Sequence, residues 1–312
     1  LKISIVIPCF NEEQMIPLFF QAMEEIKHKN NYNFEYLFVN DGSKDDTLNK
    51  MRQLAEAHED VRYLSFSRNF GKEAALYAGL QNATGDFVTV MDVDMQDPPE
   101  LLPQMVDILN SDKDIDCVGT RRSTRKGEPP IRSFFSKKFY KLINKISDTE
   151  MVDGARDFRL MTRQMVDAIL ELTEYNRFSK GIFSWVGFNT HYLAYENVER
   201  VAGETSWSFW QLLSYSIDGI VNFSDTPLNL SVFSGILSCI LSVVALIFII
   251  VRALIFGDPT SGWPSLVAII LFIGGIQLLS LGVIGKYIGK IFLETKKRPI
   301  YIVKETETSK KK

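Results

Sequence analysis

The stretch Val90-Met91-Asp92-Val93-Asp94-Met95-Gln96-Asp97-Pro98-Pro99-Glu100 decides the fold, because it joins a buried strand to a polar turn. Phe87 to Met91 is short, apolar and β-rich, the pattern of a strand covered on both faces. Two carboxylates, Asp92 and Asp94, then alternate with apolar residues, and Asp97 follows. Pro98 suits the first turn of a helix with Asp97 as its N-cap. Open α/β sheets bind ligands beyond the carboxyl ends of their strands, where clustered hard oxygens suit Mg²⁺ or Mn²⁺ holding a diphosphate. Taken alone, Asp92 and Asp94 read more readily as solvated turn residues than as ligands; the rest of the chain reverses that order.

Working outward from this strand, the first 120 residues alternate between the two periodicities. Strands are predicted over 3–8, 35–40, 61–66, 86–91 and 115–119. Helices are predicted over 12–28 (capped by Asn11), 44–57, 71–82 and 98–110. Such an order with short connections implies an α/β domain with a mostly parallel sheet covered on both faces. The loops after the strands carry Asn11 and Glu12, Asp41, Arg68 and Lys72, and the Asp92–Asp97 stretch. Neither G-x-G-x-x-G after the first strand nor G-x-x-x-x-G-K-[ST] occurs, so neither a dinucleotide fold nor a P-loop is supported.

The net charge of -3 argues against nucleic acid as the main partner. Within it, Arg121 to Lys145 holds nine Lys or Arg against one acid, Glu128. There Phe135, Phe139, Leu142, Ile143 and Ile146 recur at helical spacing beside lysines, so the segment reads either as a solvated helix or as a basic amphipathic helix on an anionic lipid surface. Cys9, Cys117 and Cys239 form no metal or redox spacing, and the first two read as small buried residues of a reducing compartment.

Residues 231–251 and 265–285 are apolar runs of about 21 residues, long enough for a hydrocarbon core of roughly 30 Å. The eight residues between Phe256 and Ser265 lack Lys and Arg, whereas Lys286, Lys290, Lys296, Lys297 and Arg298 follow the second run. Positive charge on the inner side then predicts a multi-pass membrane protein, with the N-terminal domain and both termini cytoplasmic and the short loop outside. The chain opens on a strand pattern rather than a signal peptide, in keeping with that orientation. Aromatics between Thr205 and Phe223 predict an interfacial helix, and Gly274, Gly275, Gly282 and Gly285 permit close helix packing in a homo-oligomer.

Pro8-Cys9-Phe10-Asn11-Glu12-Glu13, Asn40-Asp41-Gly42-Ser43 and Asp92 to Glu100 resemble the three signatures of family 2 glycosyltransferases with the GT-A, Rossmann-like fold. Within that family the chain is most similar to bacterial polyisoprenyl-phosphate (bactoprenol) glycosyltransferases, and more distantly to dolichol-phosphate mannose synthases. Ser67 to Glu73, Asp157-Phe158-Arg159-Leu160, Asn176-Arg177-Phe178, Trp185 to Phe188, Arg200 to Thr205 and the closing hairpin extend the similarity over nearly the whole chain. The organisation expected is a catalytic domain over 1–204, an interfacial region over 205–228, a hairpin over 229–288 and a basic tail over 289–312.

The resemblance implies that Pro8, Asn11, Glu12, Asp41, Arg68, Lys72 and Asp92 contact the donor, with Asp41 at the uridine end. Asn40 stands where many relatives have Asp. Asp92, Asp94 and Gln96 match the metal and diphosphate motif, their division between metal and ribose being open, and the carboxamide oxygen of Gln96 is a suitable hard ligand. Asp94 and Asp157 are implied as catalytic; without the resemblance Asp157 reads first as a salt-bridge partner of Arg156 or Arg159. Arg121, Arg132 and Ser136 match positions that hold a lipid phosphate, with Arg122 an alternative to Arg121. Arg177 and Lys180 are candidates over the diphosphate or acceptor, or else solvated loop cations.

The activity implied is inverting, metal-dependent transfer of a hexose from a UDP-sugar to undecaprenyl phosphate for cell-envelope glycan modification. A non-catalytic sugar-nucleotide binder serving a flippase is the alternative. A processive polysaccharide synthase is disfavoured by two spans and the lack of a Gln-x-x-Arg-Trp motif. Glucose, N-acetylglucosamine and galactose differ by too few hydrogen bonds to be told apart from sequence.

Overall fold

In the computed structural model the described residues are 1–123, 138, 140–147, 151–196, 217–256 and 262–309. The alternation begins with β1 (Lys2–Cys9), α1 (Met15–Asn30), β2 (Asn33–Asn40), α2 (Thr47–Ala57), β3 (Val61–Phe66), α3 (Lys72–Asn82) and β4 (Phe87–Val90). A 3-10 turn (Pro99–Leu101) leads into α4 (Leu102–Ser111) and β5 (Cys117–Arg122). Then come β6 (Ala155–Thr162), α5 (Arg163–Glu171), α6 (Ser179–Trp185) and β7 (Thr190–Tyr195), followed by two long helices, α7 (Thr226–Phe256) and α8 (Trp263–Thr295), and β8 (Val303–Thr306).

One eight-stranded sheet runs in the order β7-β5-β6-β4-β1-β2-β3-β8. Strands β4, β1, β2 and β3 are mutually parallel, as the alternation predicts. Six of the eight strands run in one direction, so the sheet is mostly parallel, as expected, with two reversals. Strand β6 lies antiparallel between β4 and β5, and β8 lies antiparallel on the outer edge of β3. Periodicity identifies a strand but not its direction, so these two reversals had no local signature.

On one face of β1 and β2, Ile3, Ile5, Ile7, Phe34, Tyr36 and Phe38 are buried against Ile16, Phe19 and Met23 of α1. On the other face Val6, Val88 and Val90 meet Leu76 and Leu80 of α3 with Met165, Val166 and Ile169 of α5. Burial on both faces explains why these strands read as continuous apolar runs.

Two predicted caps are corrected. Helix α1 starts at Met15, and Asn11 takes a left-handed conformation (φ 57°) with its Oδ1 accepting from Lys44 N at 2.9 Å. Asp97 is buried and accepts from Arg156 Nε at 2.7 Å, so its carboxylate closes the loop rather than capping a helix.

Helices α7 and α8 each include a stretch long and apolar enough to cross a membrane, 226–245 and 272–295, with none of that surface buried in the protein. Leu278 is 72% exposed, for example. An apolar surface of this extent requires lipid or a partner. The base of α8 is tied to the domain by Lys286 and Lys290, each 3.1 Å from Asp218, and by Glu294, which accepts from the backbone of Tyr175 and Asn176 at 3.0 Å.

Of the expected interfacial region, residues 217–223 are helical and 205–216 lie outside the described residues. Ile220 and Phe223 pack on Ile143, Met151 and Phe178. The apolar face of the basic amphipathic helix is therefore covered in part by protein at Ile143; Phe135 and Phe139 lie outside the described residues. The expected tail is likewise more than a tail, since its residues 303–306 complete the sheet.

Candidate active site

Parallel strands place the loops after β1, β2, β3 and β4 at one edge. The first two loops are buttoned together: Asn11 N donates to Ser43 Oγ at 2.9 Å and Glu12 N to Thr47 Oγ1 at 2.8 Å. Asn40 is buried, donating to Ser65 Oγ at 2.9 Å and accepting from Ser43 N at 3.0 Å, so its departure from Asp supports the loop. Both oxygens of buried Asp41 accept from the third loop, from Phe70 N at 2.6 Å and Gly71 N at 2.9 Å. Burial pushes the Asp41 carboxyl up, opposed by those two N–H groups and by Arg68. The Arg68 guanidinium itself lies 4.1 Å over the Phe70 ring. Pro8, at the end of β1, is paired in register with Val39.

The fourth loop carries the acids. Asp94 is buried and its Oδ1 accepts from Gln96 N at 3.1 Å across the left-handed Met95 (φ 56°). Lys72, the first residue of α3, places its ammonium 2.8 Å from Asp92 and 2.6 Å from Asp157. The antiparallel run of β6 makes this possible. Arg159 pairs with Val90, the last residue of β4, so Asp157, two residues earlier on β6, projects beyond that end to the level of Asp92.

The arginines flanking Asp157 are committed elsewhere. Arg156 holds Asp97, which also accepts from the Tyr195 hydroxyl, and Arg159 lies 3.7 Å over the Phe183 ring. Burial alone would push the Asp157 carboxyl up; Lys72, Lys180 and Arg156 hold it well below the usual carboxylate range. Asp92 is pushed up by burial and by the negative charges of Asp157 and Asp94, partly offset by Lys72.

The remaining expected residues divide. Arg122 NH2 donates to Gln96 Oε1 at 3.2 Å, whereas Arg121, its neighbour on β5, is exposed. Alternation along a strand sends these two side chains to opposite faces. Arg132 and Ser136 lie outside the described residues. Lys180 bears on Asp157 electrostatically. Arg177 is turned inward instead, only 8% exposed, bonded to the Leu172 carbonyl and 4.3 Å over the Tyr77 ring. Glu73, not singled out from the sequence, accepts from Ser179 N at 2.9 Å and from its hydroxyl, tying α3 to α6 beside Lys72.

The sequence profile described as "Glycosyl transferase family 2" matches residues 4–170. The chain belongs to that family. A relative from Bacillus subtilis (strain 168), "Putative glycosyltransferase CsbB", is 45% identical over 99% of this chain and 93% of its own length. The "Prophage bactoprenol glucosyl transferase homolog" of Escherichia coli (strain K12) is 42% identical over 98% of this chain and all of its own length. The "Bactoprenol glucosyl transferase" of Shigella phage SfX is 43% identical over 97% and 99%. The chain is thus a glycosyltransferase with a GT-A-type mixed sheet.

Among the described residues of this family 2 glycosyltransferase, no three His, Cys, Asp or Glu side chains form a metal-holding group. Mg²⁺ and Mn²⁺ do not need one when a substrate phosphate completes the shell, because one or two carboxylates are then sufficient. Asp92 and Asp94, with the Gln96 carboxamide on the same loop, form an all-oxygen set. Burial, with the charges of Asp157 and Asp94, disfavours the Asp92 carboxylate although Lys72 offsets part of this, so added positive charge is favourable there. The donor set fits a divalent cation.

Proposed function

We propose that this glycosyltransferase moves a hexosyl group from a UDP-sugar to undecaprenyl, or a related polyisoprenyl, phosphate with inversion. The carrying observation is Lys72, bridging Asp92 and Asp157 at the edge where four strand-end loops meet. The near full-length similarity to proteins named bactoprenol glucosyl transferases supports the acceptor class. The two apolar helices give the chain a means of holding its domain at a bilayer.

Asp92, Asp94 and Gln96 would hold Mg²⁺ or Mn²⁺, which when bound supplies positive charge to the departing diphosphate. Lys72 adds a second cation at the same place. Loops 10–14, 41–46 and 67–71 form the nucleoside end, with Asp41 as its fixed acid. Arg121, Arg132 and Ser136 are assigned to the acceptor phosphate, and Arg122 to holding Gln96. The acceptor monoester, with a second pKa of about 6, is mostly dianionic at neutral pH and needs little basic assistance. Asp157, kept anionic by its neighbours, orients it and takes any residual proton.

An acceptor oxygen bonds to the anomeric carbon as the bond to UDP breaks and its electron pair leaves with UDP. An α-linked donor therefore gives a β-linked lipid phosphate. The cationic residues at the foot of α8 support a reading in which the catalytic domain and both termini face the cytoplasmic side of the bacterial inner membrane.

The test is a donor screen of UDP-glucose, UDP-N-acetylglucosamine and UDP-galactose against undecaprenyl phosphate, with Mg²⁺ or Mn²⁺. UDP release that requires the lipid, with a β-linked product, is expected. An α-linked product, or donor binding without turnover, would sink the proposal.

A further inference from the structure

Beyond α8 the chain turns back onto the catalytic domain and seats itself against one active-site loop. Lys297 adopts a left-handed conformation (φ 47°), and Ile300 and Tyr301 then join the apolar cluster around Leu64 and Phe66, with Phe70. The Tyr301 ring stacks on Phe66 with centroids 5.0 Å apart, and its hydroxyl donates to Gln81 Oε1 at 2.8 Å. The Ile302 carbonyl accepts from Ser67 N, the first residue after β3, at 3.0 Å. Strand β8 is pinned by Glu305, which receives Arg52 Nε at 2.8 Å, Arg52 NH2 at 2.6 Å and the Tyr63 hydroxyl at 2.8 Å.

The loop so supported, residues 67–71, has two sides. Its inner side gives Phe70 N and Gly71 N to Asp41 and ends at Lys72. Its outer side is covered by residues 300–302. A loop held at one side by a single carboxylate retains freedom that a ligand must remove on binding. Covering the other side removes it in advance.

We infer that residues 300–306 are a positioning element for the donor: the segment leaving the second apolar helix holds the 67–71 loop against Asp41, coupling membrane anchoring to nucleotide affinity. This rests on the reading of Asp41 and the 67–72 loop as the donor site. Tyr301 touches no reacting atom and acts through Phe66 and Phe70.

The full chain in lipid nanodiscs is titrated with UDP and Mn²⁺ by calorimetry, and its donor kinetics are measured. Tyr301→Ala is expected to weaken UDP about tenfold, the scale of one lost aromatic contact. KM for the donor should rise alongside while kcat at saturating donor stays within about twofold; Tyr301→Phe should retain the affinity. A stop after Arg298 should match or exceed the Tyr301→Ala loss. A purely structural tail would lower kcat through the active fraction and leave KM and UDP affinity unchanged, and that result overturns the inference. A wild-type chain that does not bind UDP removes the donor-site reading as well, whereas UDP binding equal in wild type, Tyr301→Ala and the truncation removes this inference alone.

Discussion

Lys72 is the residue on which the charge balance of the site turns, because it faces Asp92 and Asp157 at once. Lys72→Met leaves those acids without their shared cation and is expected to lower kcat/KM by about 100- to 1,000-fold, the range seen for removing one electrostatic stabiliser. Steady-state kinetics check this, and a loss below tenfold would contradict it. Far from that rim, Glu35 shows how a buried acid supports the fold. Burial would raise its pKa, but hydrogen bonds from Ser4, Thr84 and Lys2 bring it down to about 2 from 4.5. A depressed carboxyl stabilises the fold fully above its unfolded pKa, and the benefit disappears as pH falls through the folded value. Wild type should therefore exceed Glu35→Gln in stability by about 3 kcal/mol near neutrality. Melting temperatures of the two should converge between pH 4.5 and about 2. The motif positions of Asp92, Asp157 and Lys72 were legible in the chain; their meeting was not, because it depends on the direction of a strand.

At the scale of elements, α3 does two things: it packs on β1 and starts with Lys72 at the rim. The packing is close enough that a Cβ on Gly79 would lie 2.1 Å from Val6 Cγ1. Gly79→Ala should destabilise the chain by about 1–3 kcal/mol, the usual cost of overpacking. Val6→Ala in the same chain should recover part of that loss, as seen by thermal melting. A neutral Gly79→Ala would mean that α3 can lift from β1, moving Lys72 with it. Gly42 is constrained differently: its φ is +67° and a Cβ would lie 2.4 Å from the Arg68 backbone carbon, so the second and third loops touch through main chain. The helices and parallel strands of this half were readable from periodicity, because buried apolar runs and their flanking turns carry the signal locally. Strand β6 was not read, since Arg156, Asp157 and Arg159 interrupt its apolar pattern for reasons that lie across the sheet.

At the scale of the molecule, β1 and β8 belong to one sheet, yet α7 and α8 separate them in sequence. A chain that leaves a domain and rejoins the same sheet crosses a membrane an even number of times. Cysteines placed at Lys113 and Ser309 should therefore be labelled by an impermeant maleimide from the same side of sealed vesicles, in a background lacking Cys239. Labelling from opposite sides would exclude the two-span hairpin. The amino-acid sequence by itself determined the α/β class, the family signatures, the loop acids and two segments too apolar for water, because each is written in residues close together along the chain. Only the tertiary structure decided that Asp157 reaches the level of Asp92, that Arg177 turns inward, and that the tail becomes an edge strand beside the 67–71 loop. Those outcomes depend on strand direction and on which distant groups compete for the same charge or hydrogen bond, and neither leaves a mark on local sequence.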